Sequence, residues 1–252
     1  MSQHRYSDIE WQTRVDLAAA YRLMPLFGMS DLIYNHITAR IPGAPGSEDE
    51  ILINPYGWMY EEITASSLIK INLQGEVLDP GCTDLAPNRA GYVIHSAVHA
   101  HRHDVGCVIH THTRCGMAVS CMKQGLLPIT QTAMRFADIT YHDYESVAID
   151  MDEQQRLVAD LGASNSMILR NHGLLVAGPS IAEAFNAMYW LEMACRAQVD
   201  VMACGAEINY PSQAIVDKTF NLYQPHVRRP FGLMEWPAML RYLDRRDASY
   251  KT

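Results

Sequence analysis

The sequence predicts an α/β protein in which a mainly antiparallel sheet lies between layers of helix. Three observations lead there. The hydrophobic period changes along the chain from helix-like to strand-like and back. The strands between residues 31 and 79 follow one another too closely to be joined by crossover helices, so they must run antiparallel. Later apolar runs alternate with helical stretches, which puts the sheet in the middle and helices on its faces.

Residues 8 to 29 carry Ile9, Val15, Leu17, Ala18, Tyr21, Leu23 and Leu26 at helical spacing, with Ser7 or Asp8 as N-cap and Pro25 as the point of kinking or ending. From 31 to 41 the period becomes two: Ile33, Ile37 and Ile41 alternate with Tyr34, His36, Thr38 and Arg40, a half-buried strand with His36 on its polar side. A Gly, Pro and acid-rich loop leads to the strand Ile51-Leu52-Ile53 and the turn Asn54-Pro55-Tyr56-Gly57. A hairpin over 68 to 79 turns at Gln74-Gly75.

Beyond an irregular stretch, 89 to 102 reads as helix and feeds the apolar run Cys107-Val108-Ile109-His110-Thr111-His112. Residues 113 to 122 read as helix, 126 to 130 and 139 to 144 as extended, and 154 to 161 as helix. Two short strands over 167 to 176 flank Asn171-His172-Gly173, and a long helix over 180 to 203 follows Pro179. The stretch 209 to 252 has little periodicity, but its aromatic residues argue against disorder, and it is expected to pack on a neighbouring subunit. No linker, repeat or low-complexity segment divides the 252 residues, so one domain is expected.

The net charge of −8 argues against nucleic-acid or anionic-membrane partners, which call for a concentrated basic surface. Neither a signal-peptide core nor an 18-residue apolar run is present, so a soluble, cytoplasmic protein is expected. The six cysteines form no Cys-x-x-Cys pair and mostly sit in apolar segments, which reads as reduced, buried thiols.

Chemistry gathers at the histidines. In a strand, side chains at i and i+2 share a face, so His110 and His112 present two imidazoles to one spot. His172, in its turn between apolar runs, offers a third. Three neutral imidazoles hold a divalent ion and leave positions open for substrate, as catalytic sites do. His95, His99 and His103 align at four-residue spacing on the 89 to 102 helix, and their expected setting is a solvated face. His142, beside acids at a strand end, is expected to be an ordinary polar edge.

His110-Thr111-His112-Thr113 after its strand, Asn171-His172-Gly173, Asn35-His36-Ile37-Thr38-Ala39-Arg40 and Asn54-Pro55-Tyr56-Gly57 together resemble the class II aldolase/adducin family over roughly residues 10 to 210. The resemblance implies a three-layer α/β/α sandwich, a homotetramer with sites near subunit interfaces, and a divalent ion on His110, His112 and His172. Zn2+ is favoured, with Mn2+, Co2+ or Fe2+ as substitutes. It also suggests that Tyr223, His226 or Arg228 completes a neighbour's site.

The chain departs from the family's sugar-phosphate aldolases where their acidic acid/base residue stands, four positions before the helix histidine: here it is Gly91. Their phosphate-cradling residues are replaced by His36, Tyr56 and Arg89-Ala90, with Gly57 kept, so a small non-phosphorylated hydroxy or oxo acid is the expected substrate. Arg89 would hold its carboxylate through the planar guanidinium fork. The expected activity is a carbon–carbon lyase working through an enolate, by decarboxylation or aldol cleavage. Decarboxylation needs no base to remove a proton first; aldol cleavage needs one, to take the proton of the hydroxyl group as the carbon–carbon bond breaks, and His36, Glu145 or a water held by the metal would be that base. Two other readings stay open: an Fe2+ oxygenase on the same scaffold, and a metal-free binding module like the adducin head.

Overall fold

A computed structural model of the chain describes residues 5–43, 49–145 and 151–252, the side chains of residues 89, 90, 151 and 152 apart. The first helix, α1 (Asp8–Leu26), starts where the Ser7 hydroxyl accepts the Glu10 amide hydrogen. Pro25 falls in its last turn, and the helix ends one residue later. The strands β1 (His36–Arg40), β2 (Ile51–Ile53), β3 (Ile69–Ile71) and β4 (Val77–Asp79) follow, with no helix longer than a 3-10 turn between them among the described residues. Next come α2 (Arg89–His101), β5 (Cys107–Thr111), α3 (Arg114–Ser120), β6 (Thr140–His142), α4 (Met151–Leu161), β7 (Ser166–Leu169), β8 (Gly173–Gly178) and α5 (Ile181–Ala203). Residues of the last stretch form α6 (Gln213–Leu222) and α7 (Trp236–Asp244).

Among the described residues eight strands form one sheet in the order β4-β3-β2-β1-β5-β8-β7-β6. Every pairing is antiparallel except β6 with β7, which α4 connects as a crossover. Alternate residues of the central strands feed two cores. Ile37, Ala39, Ile109 and Val176 pack with residues of α1 and α5 on one face. Val108, Leu175 and Ala177 pack with Ile94 and Val98 of α2 and with Leu157 and Leu161 of α4 on the other. The result is a three-layer α/β/α sandwich with a central, mainly antiparallel sheet.

Several expectations need correction. β1 is buried on both sides, so the alternation of His36 and Thr38 with isoleucine marks a buried polar layer under α2 and not a solvated face. For the same reason His95 and His99 are buried, at 1% and 0% exposure, and only His103 of that row reaches solvent. Residues 126 to 130 join no strand: the Leu126 amide donates to the Tyr141 hydroxyl and the Leu127 amide to Gln198 Oε1, side-chain partners in place of a ladder. Cys82, Cys121 and Cys204 are exposed, although Cys107 and Cys195 are buried.

The C-terminal stretch, read as aperiodic, holds two helices and rests on its own chain. Trp236 and Leu243 of α7 and the later Tyr250 belong to the main core, and the Trp236 indole N–H donates to Asp16 Oδ1 across to α1. In α7, Trp236, Met239, Leu240 and Leu243 fall at i, i+3, i+4 and i+7 and face the main core, a short apolar stripe. Among the described residues, no helix is long and apolar enough to cross a membrane.

Candidate metal centre

β5 and the turn between β7 and β8 meet at one end of the sheet because β5 pairs with β8, with His110 opposite Leu175 and Thr111 opposite Leu174. The turn itself needs two particular residues. Asn171 takes a left-handed backbone with φ 56°, which asparagine tolerates better than other side-chain-bearing residues. At Gly173 a Cβ would stand 2.2 Å from the Thr111 carbonyl oxygen, so only glycine lets β8 approach β5 this closely. His172 is thereby swung towards the end of β5.

The three imidazoles converge through their Nε2 atoms: His110 Nε2 lies 2.9 Å from His112 Nε2, which lies 3.0 Å from His172 Nε2. The outer nitrogens fix the tautomers. His110 Nδ1 stands 2.9 Å from the Leu174 carbonyl oxygen and His112 Nδ1 3.2 Å from Asp31 Oδ2, both pure acceptors, so each Nδ1 carries the hydrogen. The Nε2 lone pairs of His110 and His112 then face one another. Lone pairs at this separation repel unless a cation lies between them. Nitrogens about 2.0–2.1 Å from one tetrahedral ion stand roughly 3.3 Å apart, near the spacing here, so the donor set fits a divalent ion. Burial and the neighbouring imidazoles disfavour the charged form of two of the three rings: His172 is pushed down to about 4 and His110 well below the ordinary histidine value.

Asp31, just beyond α1, was not singled out from the sequence; an acid 81 positions from its histidine partner leaves no local spacing signal. Its removal should be felt through the ligand it orients. For Asp31→Ala the expected result is a 10–100-fold loss of metal affinity with the fold intact, measured by competition with a chromophoric chelator.

His36 stands opposite His110 in the β1–β5 register, and its ring meets that of His110 edge-to-face at 5.4 Å between centroids. On its other side it stacks on His95 at 4.3 Å, and Thr38 Oγ1 bridges His95 Nδ1 and His99 Nε2 at 2.8 Å each. The ring occupies the volume in front of Gly91, where a Cβ would lie 2.1 Å from His36 Cδ2. The missing side chain at 91 and the imidazole at 36 are therefore one structural feature. Neither ring nitrogen of His36 makes a well-formed hydrogen bond among the described residues. Burial, only partly opposed by the Gly91 backbone and reinforced by His112 and His172, pushes His36 down to about 3.

Steric complementarity of this kind is measurable. Gly91→Ala alone should destabilise by about 1–3 kcal/mol through overpacking, and His36→Ala should recover most of that loss when combined with it. A double-mutant cycle by urea denaturation reads the coupling; strictly additive effects would contradict the packing of His36 against position 91.

The remaining candidates lie further out. Tyr56 is partly exposed and its amide donates to the Ala86 carbonyl, with Leu85 beside Gly57. Arg89 opens α2, and its side chain lies outside the described ones. Glu145 is at the surface, gripped by Arg156 through both carboxylate oxygens, which holds its carboxyl below the ordinary glutamate value. No contact among the described residues joins it to the three imidazoles. Tyr223 accepts a hydrogen bond from Gln131 and packs on Phe231, and His226 is exposed; neither touches the imidazoles of its own chain. His142, expected as a polar edge, is buried with Nδ1 2.7 Å from Asp160 Oδ2.

Comparison with known proteins bears on the family and the fold. The family model described as Class II Aldolase and Adducin N-terminal domain matches residues 15–199. A Pseudomonas aeruginosa protein named only provisionally as a class 2 aldolase is 48% identical over 99% of this chain and 95% of its own. Mouse alpha-adducin is 48% identical over 79% of this chain, a match that spans 27% of the adducin. The crystal structure of an aldolase II superfamily protein from Pseudomonas syringae superposes with a TM-score of 0.92, at 44% identity, over 100% of this chain and 99% of the other.

Proposed function

Because the chain belongs to the class II aldolase and adducin family, we propose that it is a divalent-metal-dependent carbon–carbon lyase acting on a small, non-phosphorylated hydroxy or oxo acid. The observation that carries this reading is the convergence of three Nε2 atoms with the outer nitrogens of His110 and His112 anchored. Zn2+ is the favoured ion, with Mn2+, Co2+ or Fe2+ able to replace it at an all-imidazole site. Bound there, it supplies Lewis acidity for negative charge developing on oxygen next to the breaking carbon–carbon bond.

The protein's own residues shape the rest. Gly91 leaves the site without the carboxylate that the family's sugar-phosphate aldolases use, and His36 fills that volume as a neutral ring. An imidazole pushed this low is a weak acceptor for the hydroxyl proton that aldol cleavage must remove, which favours decarboxylation, where no base is needed before the bond breaks. His36 and His95 wall the site with stacked rings and keep water from one side of it. Tyr56, Gly57 and Arg89 are the residues we assign to the substrate's polar end. The working assembly in this reading is a cytoplasmic homotetramer, with exposed His226 the tail residue facing a neighbour's site.

The reading is tested by incubating zinc- or manganese-loaded protein with a panel of 2-oxo, 3-oxo and hydroxy acids and following carbon dioxide and aldehyde release by NMR. Cleavage that disappears on chelation is the expected result. Iron as the native ion with oxygen uptake would replace it by the oxygenase reading.

The identity to alpha-adducin over 79% of the chain favours a second reading, a binding module without catalysis. It requires that the three imidazoles hold no ion, and metal content decides between the two.

A further inference from the structure

We propose that a second cavity, sharing no residue with the three imidazoles, is a binding site for a small carboxylate with a flat apolar body. The cavity measures about 330 Å3 and is walled by Phe185, Trp190, Tyr223, Phe231 and Trp236, with Arg135 as its cation. That is the lower end of the volume range typical of small-molecule sites.

Arg135 is what makes the cavity more than a packing defect. Its guanidinium carbon lies 4.7 Å from the Tyr223 ring centre, 4.9 Å from Phe231 and 5.6 Å from Trp190. Its hydrogen bonding among the described residues is one contact of 3.2 Å from Nη2 to Asn186 Oδ1. A guanidinium has five N–H donors in a fixed fork. The aromatic faces accept none of them as a carboxylate would, and no carboxylate forms an ion pair with Arg135 among the described residues.

Glu235 also lines the cavity, but its charge is already used. Arg229 holds both its oxygens, at 2.7 and 3.1 Å, and the Gly232 amide donates to it at 2.8 Å. Burial lowers Arg135 to about 10, only partly opposed by Tyr223 and Glu235, and it remains charged at neutral pH.

The rest of the ligand follows from the walls. One planar fork suits one carboxylate, with two parallel N–H···O bonds. A phosphate dianion would bring a second charge into an apolar collar whose lining residues include no second cation. The ring faces around the fork are matched by a flat hydrocarbon body, which gains offset or edge-to-face contacts there. An aromatic or short arylalkyl monocarboxylate satisfies both ends.

The experiment is a fluorescence titration of the full-length protein, in metal-loaded and metal-stripped form, with benzoate and 3-phenylpropionate. Trp190 and Trp236 on the cavity wall report binding. The expected result is a saturable change of the same affinity in both forms. Benzamide, of the same shape without the charge, should bind about tenfold or more weakly, as should benzoate to Arg135→Gln, since hydrogen bonds to charged groups contribute roughly 1.5–3 kcal/mol. The benzamide comparison uses the unaltered protein and stands even if the variant does not fold. No saturable change, equal affinity for benzoate and benzamide, or binding that vanishes with the metal would each overturn the proposal; the last would place the ligand at the imidazole centre instead.

Discussion

Replacing His172 by alanine leaves a folded protein that no longer retains a divalent ion. The side chain sits in a turn whose backbone is set by Asn171 and Gly173, so its removal disturbs no strand. What is lost is one of three nitrogens, and the two that remain, on His110 and His112, cannot enclose an ion alone. Loss of an orienting neighbour costs 10–100-fold in affinity, so loss of a ligand is expected to cost more than about 100-fold. Lyase activity should fall with it. His112→Ala should behave in the same way with the added loss of the Asp31 contact. Equilibrium dialysis against zinc with elemental analysis reads the affinity, and circular dichroism confirms the fold. A fully metallated, active His172→Ala protein would remove His172 from the centre.

The metal-stripped protein should lose stability steeply between pH 7 and pH 5. His36 and His99 are buried and pushed down from the ordinary 6.5 to about 3, chiefly by desolvation, so the folded state keeps them neutral. The unfolded chain takes up a proton on each near 6.5. Below that pH the unfolded state binds more protons than the folded one, and protonation pulls the equilibrium towards unfolding. The loss begins near pH 6.5 and continues until the folded state itself protonates near pH 3.

Each group contributes about 1.4 kcal/mol per pH unit inside that window, so the two together cost about 4 kcal/mol at pH 5. His95 and His110, also lowered by burial, add in the same direction. The paired carboxylates, such as Glu235 at about 2, lose their contribution only at still lower pH. Urea midpoints at pH 7 and pH 5 test this, and His99→Leu should flatten the dependence. A midpoint that does not move between the two pH values would contradict the burial of these rings.

The legibility of the centre in the sequence is uneven for a physical reason. His110 and His112 were readable because a strand has a strict two-residue period, and His172 because an Asn-His-Gly break between apolar runs announces a turn. The helices α1, α2, α4 and α5 were readable from their spacing and caps, and the antiparallel sheet from its short connections. What spacing cannot say is which polar face another layer will cover. His36 and Thr38 alternate with apolar residues as on a solvated strand, yet α2 lies over them, and the same packing turned the His95–His99 row inward. The resemblance to the family singled out Gly91 as a departure, but only the structure joins it to His36. Asp31 and Arg135 depend on contacts between distant segments, which no local pattern records.

The most direct measurement is elemental analysis of untagged protein purified without chelator. A content of about one zinc or manganese ion per chain, retained through dialysis, is the result expected of three imidazoles converging on one point. Protein that holds no divalent ion, even after incubation with zinc and manganese, would contradict the lyase reading and leave the adducin-like binding module in its place.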